Sequence, residues 1–379
     1  MVDHIGWRWV FWFNLPIAGT AMALVGVFMR VKHNRSASVI KLLRQLDYFG
    51  NLWLTASVTS ILLALSTASG PGSWTSWKTL VPLLLGFAGL PAFIFFEASK
   101  LWCPNPTVPI RLFKNSTSVL GFCMSFLNGV LVYWAIYFLP IYFQAVKQNS
   151  AQQTGINTLP LLVPIVPFGI VGSFIIATKK RYKPNQIAGF TLAGIGLGCF
   201  SVLDRNSPIA VWVVLQLVFA SGGGLVISST LTTIQAPLPE SDVAASTGVW
   251  GFTQGLGFIC GMAFPTSIFE SRFRDLLPSI GDVLVRDGLR ADGAYEHASK
   301  QFVGSLQGVV QEQVITAFEA SLKLVWEVGV TFAVLGFIAA IVIKEVVIRE
   351  TLETQYGIDE SLDDTKTKVD VEKATVRPS

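Results

Sequence analysis

Runs of about twenty apolar residues recur along the whole chain, and almost every charge falls between them. A bilayer's hydrocarbon core is roughly 30 Å thick, and a helix rises about 1.5 Å per residue, so a run of about 20 residues crosses it. Inside lipid every backbone N–H and C=O must be satisfied within the protein, which a helix does segment by segment. The chain therefore reads as an all-α polytopic membrane protein. Its composition agrees. Of its 379 residues, 51% are apolar and 14% charged, against about 25% charged in soluble domains. That leaves too little charge to cover a surface facing water.

Nine segments read as spans, at approximately 9–30, 49–69, 79–97, 118–145, 155–177, 186–203, 209–235, 243–268 and 325–348. Basic residues concentrate in alternate loops. Arg30, Lys32, Arg35, Lys41 and Arg44 lie between the first two spans. Lys100, Arg111 and Lys114 precede the fourth, and "KKRYK" (Lys179 to Lys183) precedes the sixth. The intervening loops ahead of the eighth span hold little: Lys78, Lys147 and Arg205. The positive-inside rule puts the basic loops in the cytosol, with an external N-terminus and a cytosolic C-terminus. Glu240 and Asp242 in "APLPESD" break the pattern, although acidic residues weigh little in that rule. Residues 269–324 are expected to form one long external loop, with an amphipathic interfacial helix in "VVQEQVITAFEASLKLVW". The polar stretch from Gly357 onward is expected to be a disordered cytosolic tail.

Several classes of function are disfavoured. The net charge of +4 is spread over short loops, which is no nucleic-acid signature. Cys103, Cys123, Cys199 and Cys260 form no CxxC, and His4, His33 and His297 are scattered, so neither a disulfide framework nor a metal site is expected. No GxSxG, HExxH, GxGD or paired membrane acids mark an intramembrane enzyme. No cofactor is expected.

Five stretches then carry a resemblance. "GWRWVFWFNLPIAG" (Gly6–Gly19) resembles the sixth-span motif of the 14-span drug:proton antiporters of the major facilitator superfamily. "LDYFGNLWL" (Leu46–Leu54) is similar to the Asp-x-x-Gly entry to their seventh span, and "PTVPIRLFKNSTS" (Pro106–Ser118) to the loop before the ninth. "YFLPIYFQAVKQNSAQQTGINTLP" (Tyr137–Pro160) resembles the ninth-to-tenth junction of fungal toxin and multidrug efflux pumps, and "AASTGVWGFTQGLGFICG" (Ala244–Gly261) the thirteenth-span motif. All five occur in family order. The resemblance implies the major facilitator fold, efflux of a small organic molecule across a lipid bilayer, and proton antiport, with the plasma or vacuolar membrane as the location.

In that register the first span is the family's sixth and the ninth its fourteenth, so the first five spans are expected to be missing. Residues 1–30 would be the last helix of an N-terminal bundle. Residues 31–117 would hold a loop, two linker helices and a second loop, 118–348 the C-terminal six-helix bundle, and 349–379 the tail. Two alternatives stay open: a truncated membrane protein that does not transport, and a siderophore transporter of the same span class.

Candidate site residues follow, each with a bland alternative. Asn128, Tyr133 and Trp134 lie in an otherwise apolar fourth span, which also carries Tyr137 and Gln144; Trp250 and Gln254 stand among glycines in the eighth. Polar residues within spans usually face a bundle interior or a cavity. Aromatic faces and amides suit a planar organic substrate, but they suit helix–helix packing as well. The resemblance implies motif or gating roles for Arg8, Asn14, Asp47 and Gly50. Asp47 also reads as a helix N-cap, and Arg8 as an anchor beside the Trp7, Trp9 and Trp12 belt. Gly251-x-x-x-Gly255 and Gly257-x-x-x-Gly261 read as close-packing helix faces. No ionisable residue lies deep within spans two to eight. A proton needs such a group to drive a cycle, so the polypeptide alone is expected not to perform proton-coupled efflux.

Overall fold

The computed structural model describes residues 8–28, 47–67, 76–99 and 106–346. All of its regular structure is helical. The helices before residue 29 and those from residue 47 onward belong to separate units, each taken by itself. The loop expected between the first two spans and the tail expected from residue 349 lie outside the described residues.

The first unit contributes α1 (Arg8–Trp12) and α2 (Asn14–Phe28). They break at Phe13 because Pro16, three residues on, has no N–H to give to the helical ladder. Trp9 and Trp12 pack ring to ring at 5.9 Å.

The second unit begins with an antiparallel pair, α3 (Tyr48–Thr67) and α4 (Trp77–Ala98). Its bundle comprises α5 (Ser116–Ile141), α7 (Leu159–Lys179), α8 (Lys183–Cys199), α9 (Ile209–Gln235), α10 (Val243–Leu276) and α13 (Gly308–Val342). A short α6 (Ala151–Asn157) leads into α7, and α11 (Val283–Asp292) and α12 (Lys300–Ser305) lie between α10 and α13. Among the described residues seven helices are long and apolar enough to cross a membrane, and Asn14–Phe28 and Tyr48–Ala64 are shorter apolar helices. Together these nine fall on the nine segments read from the sequence.

The bundle's contacts repeat between two triplets, α5–α7–α8 and α9–α10–α13. The closest pair, α5 with α10, is matched by α9 with α7, and α8 with α9 by α13 with α5. Glycines make the crossings tight. A Cβ on Gly257 would lie 2.3 Å from the Phe126 carbonyl oxygen and one on Gly261 2.4 Å from that of Val130, so α10 meets the α5 backbone directly. Three consecutive glycines serve α9, because neighbouring helix positions point about 100° apart. Gly222 faces α8 at Gly189 and Ala193, Gly223 faces Val132 of α5, and Gly224 faces Ile165 and Gly169 of α7. By contrast, Gly251 and Gly255 have nothing within 4 Å of a Cβ. The first of the two expected glycine pairs therefore makes no helix contact.

Two irregularities have local causes. After Pro140, α5 runs into one π-helical turn, Tyr142–Val146, closed by Lys147 N–H donating to the Tyr142 carbonyl at 3.0 Å. Gln148 then turns with φ of 55°, and its side-chain amide donates to the Gln144 and Ala145 carbonyls. Between α6 and α7 the chain breaks at Thr158. Pro160 falls in the first turn of α7, where it bends nothing. The Asn157 carbonyl left at the break accepts from the buried Gln216 Nε2 at 3.0 Å.

The stretch 269–324 differs from the long loop expected. Helix α10 continues to Leu276 and α13 starts at Gly308, so 34 and 35 residues are helical in them. At about 1.5 Å per residue each is some 50 Å long, well beyond a 30 Å hydrocarbon core. The extensions form a folded cap with α11 and α12. Phe269, Phe273 and Phe318 pack with ring centroids 4.8–6.0 Å apart. Glu270 accepts from the Ala294 and Tyr295 N–H groups at 3.2 and 2.6 Å. Nor does the start of α13 show an interfacial face, because Val314, Ile315, Phe318, Leu322 and Val325 are buried in the protein. Apolar spacing of 3–4 residues is the same for a helix lying on lipid and for one packed in a core.

Candidate functional site

The candidate residues are placed by α5, α9 and α10, which meet along one seam. Gly129 on α5 sets its depth, since a Cβ there would lie 2.6 Å from the Gln254 carbonyl oxygen. Next to it, Asn128 is 2% exposed, and no hydrogen bond to its amide forms among the described residues. One turn earlier, the Ser125 hydroxyl is buried without a hydrogen-bond partner. Buried amides and hydroxyls nearly always find partners, so open valences at one level of a seam can serve an incoming polar group.

Tyr133 stacks on Phe258 of α10, with centroids 4.1 Å apart and an interplanar angle of 18°, and Tyr137 continues the aromatic run at 5.8 Å. On the far side, Trp250 Nε1 donates to Thr230 Oγ1 of α9 at 3.1 Å, which fixes the indole plane between the two helices. Gln254, one turn along, is 7% exposed. Gly129 and Tyr133 of α5 thus meet Gln254 and Phe258 of α10, and Trp250 bridges from α10 to α9; Asn128, five residues and about 140° around α5 from Tyr133, is on another face of that helix. Trp134 does not join them. It is fully buried on the other side of α5, with Phe332 of α13 at 5.5 Å and Gly329 against its indole. A helix turns about 100° per residue, so adjacent Tyr133 and Trp134 cannot share a face. Sequence reasoning missed Phe258, Thr230 and Ser125. A lone Phe, Thr or Ser in a span carries no signal until its neighbours are known.

The motif candidates have local geometry of their own. Asp47 Oδ1 accepts from the Gly50 N–H at 2.8 Å, the arrangement of an N-cap on α3. A Cβ on Gly50 would lie 1.9 Å from Asp47 Oδ2, so the capping carboxylate occupies the space a side chain would need. Asn51 Nδ2 donates to Thr107 Oγ1 at 3.1 Å, tying α3 to the segment before α5. Arg8 opens α1 and Asn14 opens α2, in the separate first unit.

The acidic pair that broke the charge pattern has a partner. Asp242, 3% exposed at its side chain, accepts from Arg111 Nε at 2.8 Å and joins the loop before α5 to the start of α10. The basic "KKRYK" loop closes the same end. Lys183 Nζ donates to the Ile341 and Ile343 carbonyls at the end of α13, Arg181 pairs with Glu345, and the Tyr182 hydroxyl donates to the Lys344 carbonyl and accepts from the Val346 N–H. Burial pushes the Tyr182 phenol above its ordinary value. At the opposite end, Lys147 Nζ donates to the Arg205 and Ser207 carbonyls, and burial lowers its ammonium. No group of three or more His, Cys, Asp or Glu side chains placed to hold a metal occurs among the described residues.

Two repeated helix triplets are the arrangement found in membrane proteins built from inverted three-helix repeats. The Major Facilitator Superfamily model matches residues 1–262, and the chain belongs to that superfamily. It is 38% identical over 360 residues to the MFS-type efflux pump LUC4 of Fusarium sp, which covers 94% of this chain and 64% of LUC4. It is 38% identical over 370 residues to the MFS efflux transporter aclA of Aspergillus oryzae, covering 98% and 67%, and 36% identical to the MFS-type efflux transporter ffsH of Aspergillus flavipes, covering 98% and 65%. The chain thus spans about two-thirds of the length of these relatives.

Proposed function

We propose that this multi-pass membrane protein acts in the export of a small organic molecule, of the kind made as a fungal secondary metabolite or toxin, and that it has no enzymatic activity. The observation that carries the reading is the Tyr133–Phe258 stack between α5 and α10, with the Trp250 indole bonded across to α9 about two turns away along α10 and the Asn128 amide on a neighbouring face of α5. Flat aromatic faces take up a planar apolar body, and an amide with open valences orients its polar groups. Relatives named as efflux pumps support the direction. The plasma membrane is the location that fits this role. Proton coupling rests on the resemblance alone, since the seam carries no ionisable side chain.

Counterflow separates transport from its energy source. Vesicles containing the purified chain are loaded with an unlabelled planar aromatic dye and exposed to the labelled dye. The expected result is exchange above that of empty vesicles. Asn128→Ala and Trp250→Ala should each reorder preference among dyes at unchanged protein level, by several-fold in relative rate. Exchange no faster than in empty vesicles, or losses that merely track reduced protein, would overturn the reading. Imposing a pH gradient then tests coupling, and the seam predicts that the gradient leaves the exchange rate unchanged.

A further inference from the structure

A cavity lies away from that seam, on the opposite flank of α10. It measures about 380 Å³ and is enclosed by Leu54 of α3, one face of α4, the side chains of Val108, Ile110 and Phe113, and Val249, Phe252 and Thr253 of α10. On α4 its lining recurs at Leu90, Phe93, Ile94 and Glu97, the i, i+3, i+4, i+7 pattern of a single helix face. The wall is apolar apart from Thr253 and the Glu97 carboxylate at one end. Glu97 is 4% exposed. Its two oxygens accept one N–H each, from Thr107 at 3.1 Å and Val108 at 3.2 Å. A carboxylate offers about four acceptor positions, so these two N–H groups do not exhaust it. No basic side chain lies within ion-pair distance of Glu97 among the described residues; Arg111, nearby in the chain, is taken by Asp242. Its neighbour is a second acid, Asp47, which makes a side-chain hydrogen bond with it, so the two carboxyls share a proton and keep one negative charge between them.

We propose that this cavity binds a small amphiphilic amine, with the ammonium on Glu97 and the apolar body along α4 toward Leu90. Charge complementarity selects the head, because a buried carboxylate beside another acid is stabilised by a cation that donates hydrogen bonds. Depth selects the tail. Glu97 is in the last turn of α4, and Leu90 is seven residues, about 10 Å, further into the span. Size selects a compact molecule, since pockets for small ligands run from roughly 300 to 1,000 Å³ and this one is near the lower bound. The proposal stands apart from the export reading, and its test uses no transport.

The probe is octylamine, bound at equilibrium to the full chain in nanodiscs made without amine-bearing lipid, with octanol as the uncharged control. Octylamine should bind at least tenfold more tightly than octanol. Glu97→Gln should remove that preference while leaving octanol affinity unchanged. Leu90→Trp, which fills the tail space and leaves the carboxylate and its loop intact, should abolish saturable binding of both. Asn128→Ala in the seam should change neither. Equal affinity for octylamine and octanol in the unaltered chain would overturn the proposal, as would octylamine binding unaffected by Leu90→Trp or lost on Asn128→Ala. An octylamine preference that survives Glu97→Gln would overturn it as well, and Leu90→Trp tests the tail without touching the loop that Glu97 holds.

Discussion

At the scale of single residues, glycines with the same sequence spacing have opposite roles. Gly251 faces open space, whereas Gly257 presses on the Phe126 carbonyl. Replacing a helix-interior glycine with alanine removes about 1 kcal/mol of backbone entropy cost. Forcing an extra methyl into a packed interface costs about 1–3 kcal/mol. Gly251→Ala should therefore leave thermal stability in detergent unchanged or slightly raised, and Gly257→Ala should lower it. Equal effects would show that the α5–α10 crossing is looser than described. The ion pairs divide in the same way. Arg205 pairs with Glu312 with both side chains largely in solvent, and such pairs contribute about 0–1 kcal/mol. Arg111 pairs with a buried Asp242, and removing it strands that carboxylate. Fully buried pairs cost about 3–5 kcal/mol to break; Arg111 is itself over half exposed, so Arg111→Gln should cost less, about 1–3 kcal/mol. Unfolding curves of the two arginine variants, measured side by side, should separate clearly.

Among the elements, the cap and its connecting loops are the parts most open to test. Glu270 alone holds two consecutive N–H groups of the segment after α11. Glu270→Ala should leave those donors without their carboxylate and speed protease cleavage near residue 294 several-fold, with the bundle intact. Unchanged cleavage would mean that the aromatic stack holds the cap unaided. The loop between α8 and α9 carries a pH signature. The Ser207 hydroxyl, together with the backbone N–H groups of Asn206 and Ser207, holds the Asp204 carboxyl below its ordinary 3.8. A depressed carboxyl stabilises the fold above that ordinary value, and the contribution is lost as pH falls through the lower, folded value. Melting temperature should therefore decline below about pH 4 more steeply in the unaltered chain than in Asp204→Asn. Parallel declines would show that this loop contributes nothing.

For the whole molecule, the expectation concerns orientation. The Arg111–Asp242 pair and the "KKRYK" clamp lie at one end of the bundle, and the extensions of α10 and α13 run to the other. Under the positive-inside rule the clamp end is cytosolic and the cap external. A glycosylation acceptor inserted between residues 281 and 298 should be modified, and one inserted at 180–182 should not. The reverse pattern would invert the topology.

By itself the sequence determined what lipid chemistry dictates residue by residue. Apolar runs of spanning length located nine segments, because a backbone in hydrocarbon must close its hydrogen bonds within each one. Five ordered motifs place the chain in its superfamily. The Asp47–Gly50 spacing was likewise legible, since an N-cap is made within four residues. What only the tertiary structure decided depends on which neighbour each helix face meets. Tyr133 and Trp134 are equally aromatic and adjacent, yet one reaches the seam and the other the α13 core. Glu97 read as an unremarked span end until folding brought Val108 and Val249 around it. The start of α13 carried an apolar stripe that suits lipid and protein alike, and the Phe269–Phe318 stack settled it as core. A hydrophobic pattern states how much of a helix must leave water, and only the partners' positions state where it goes.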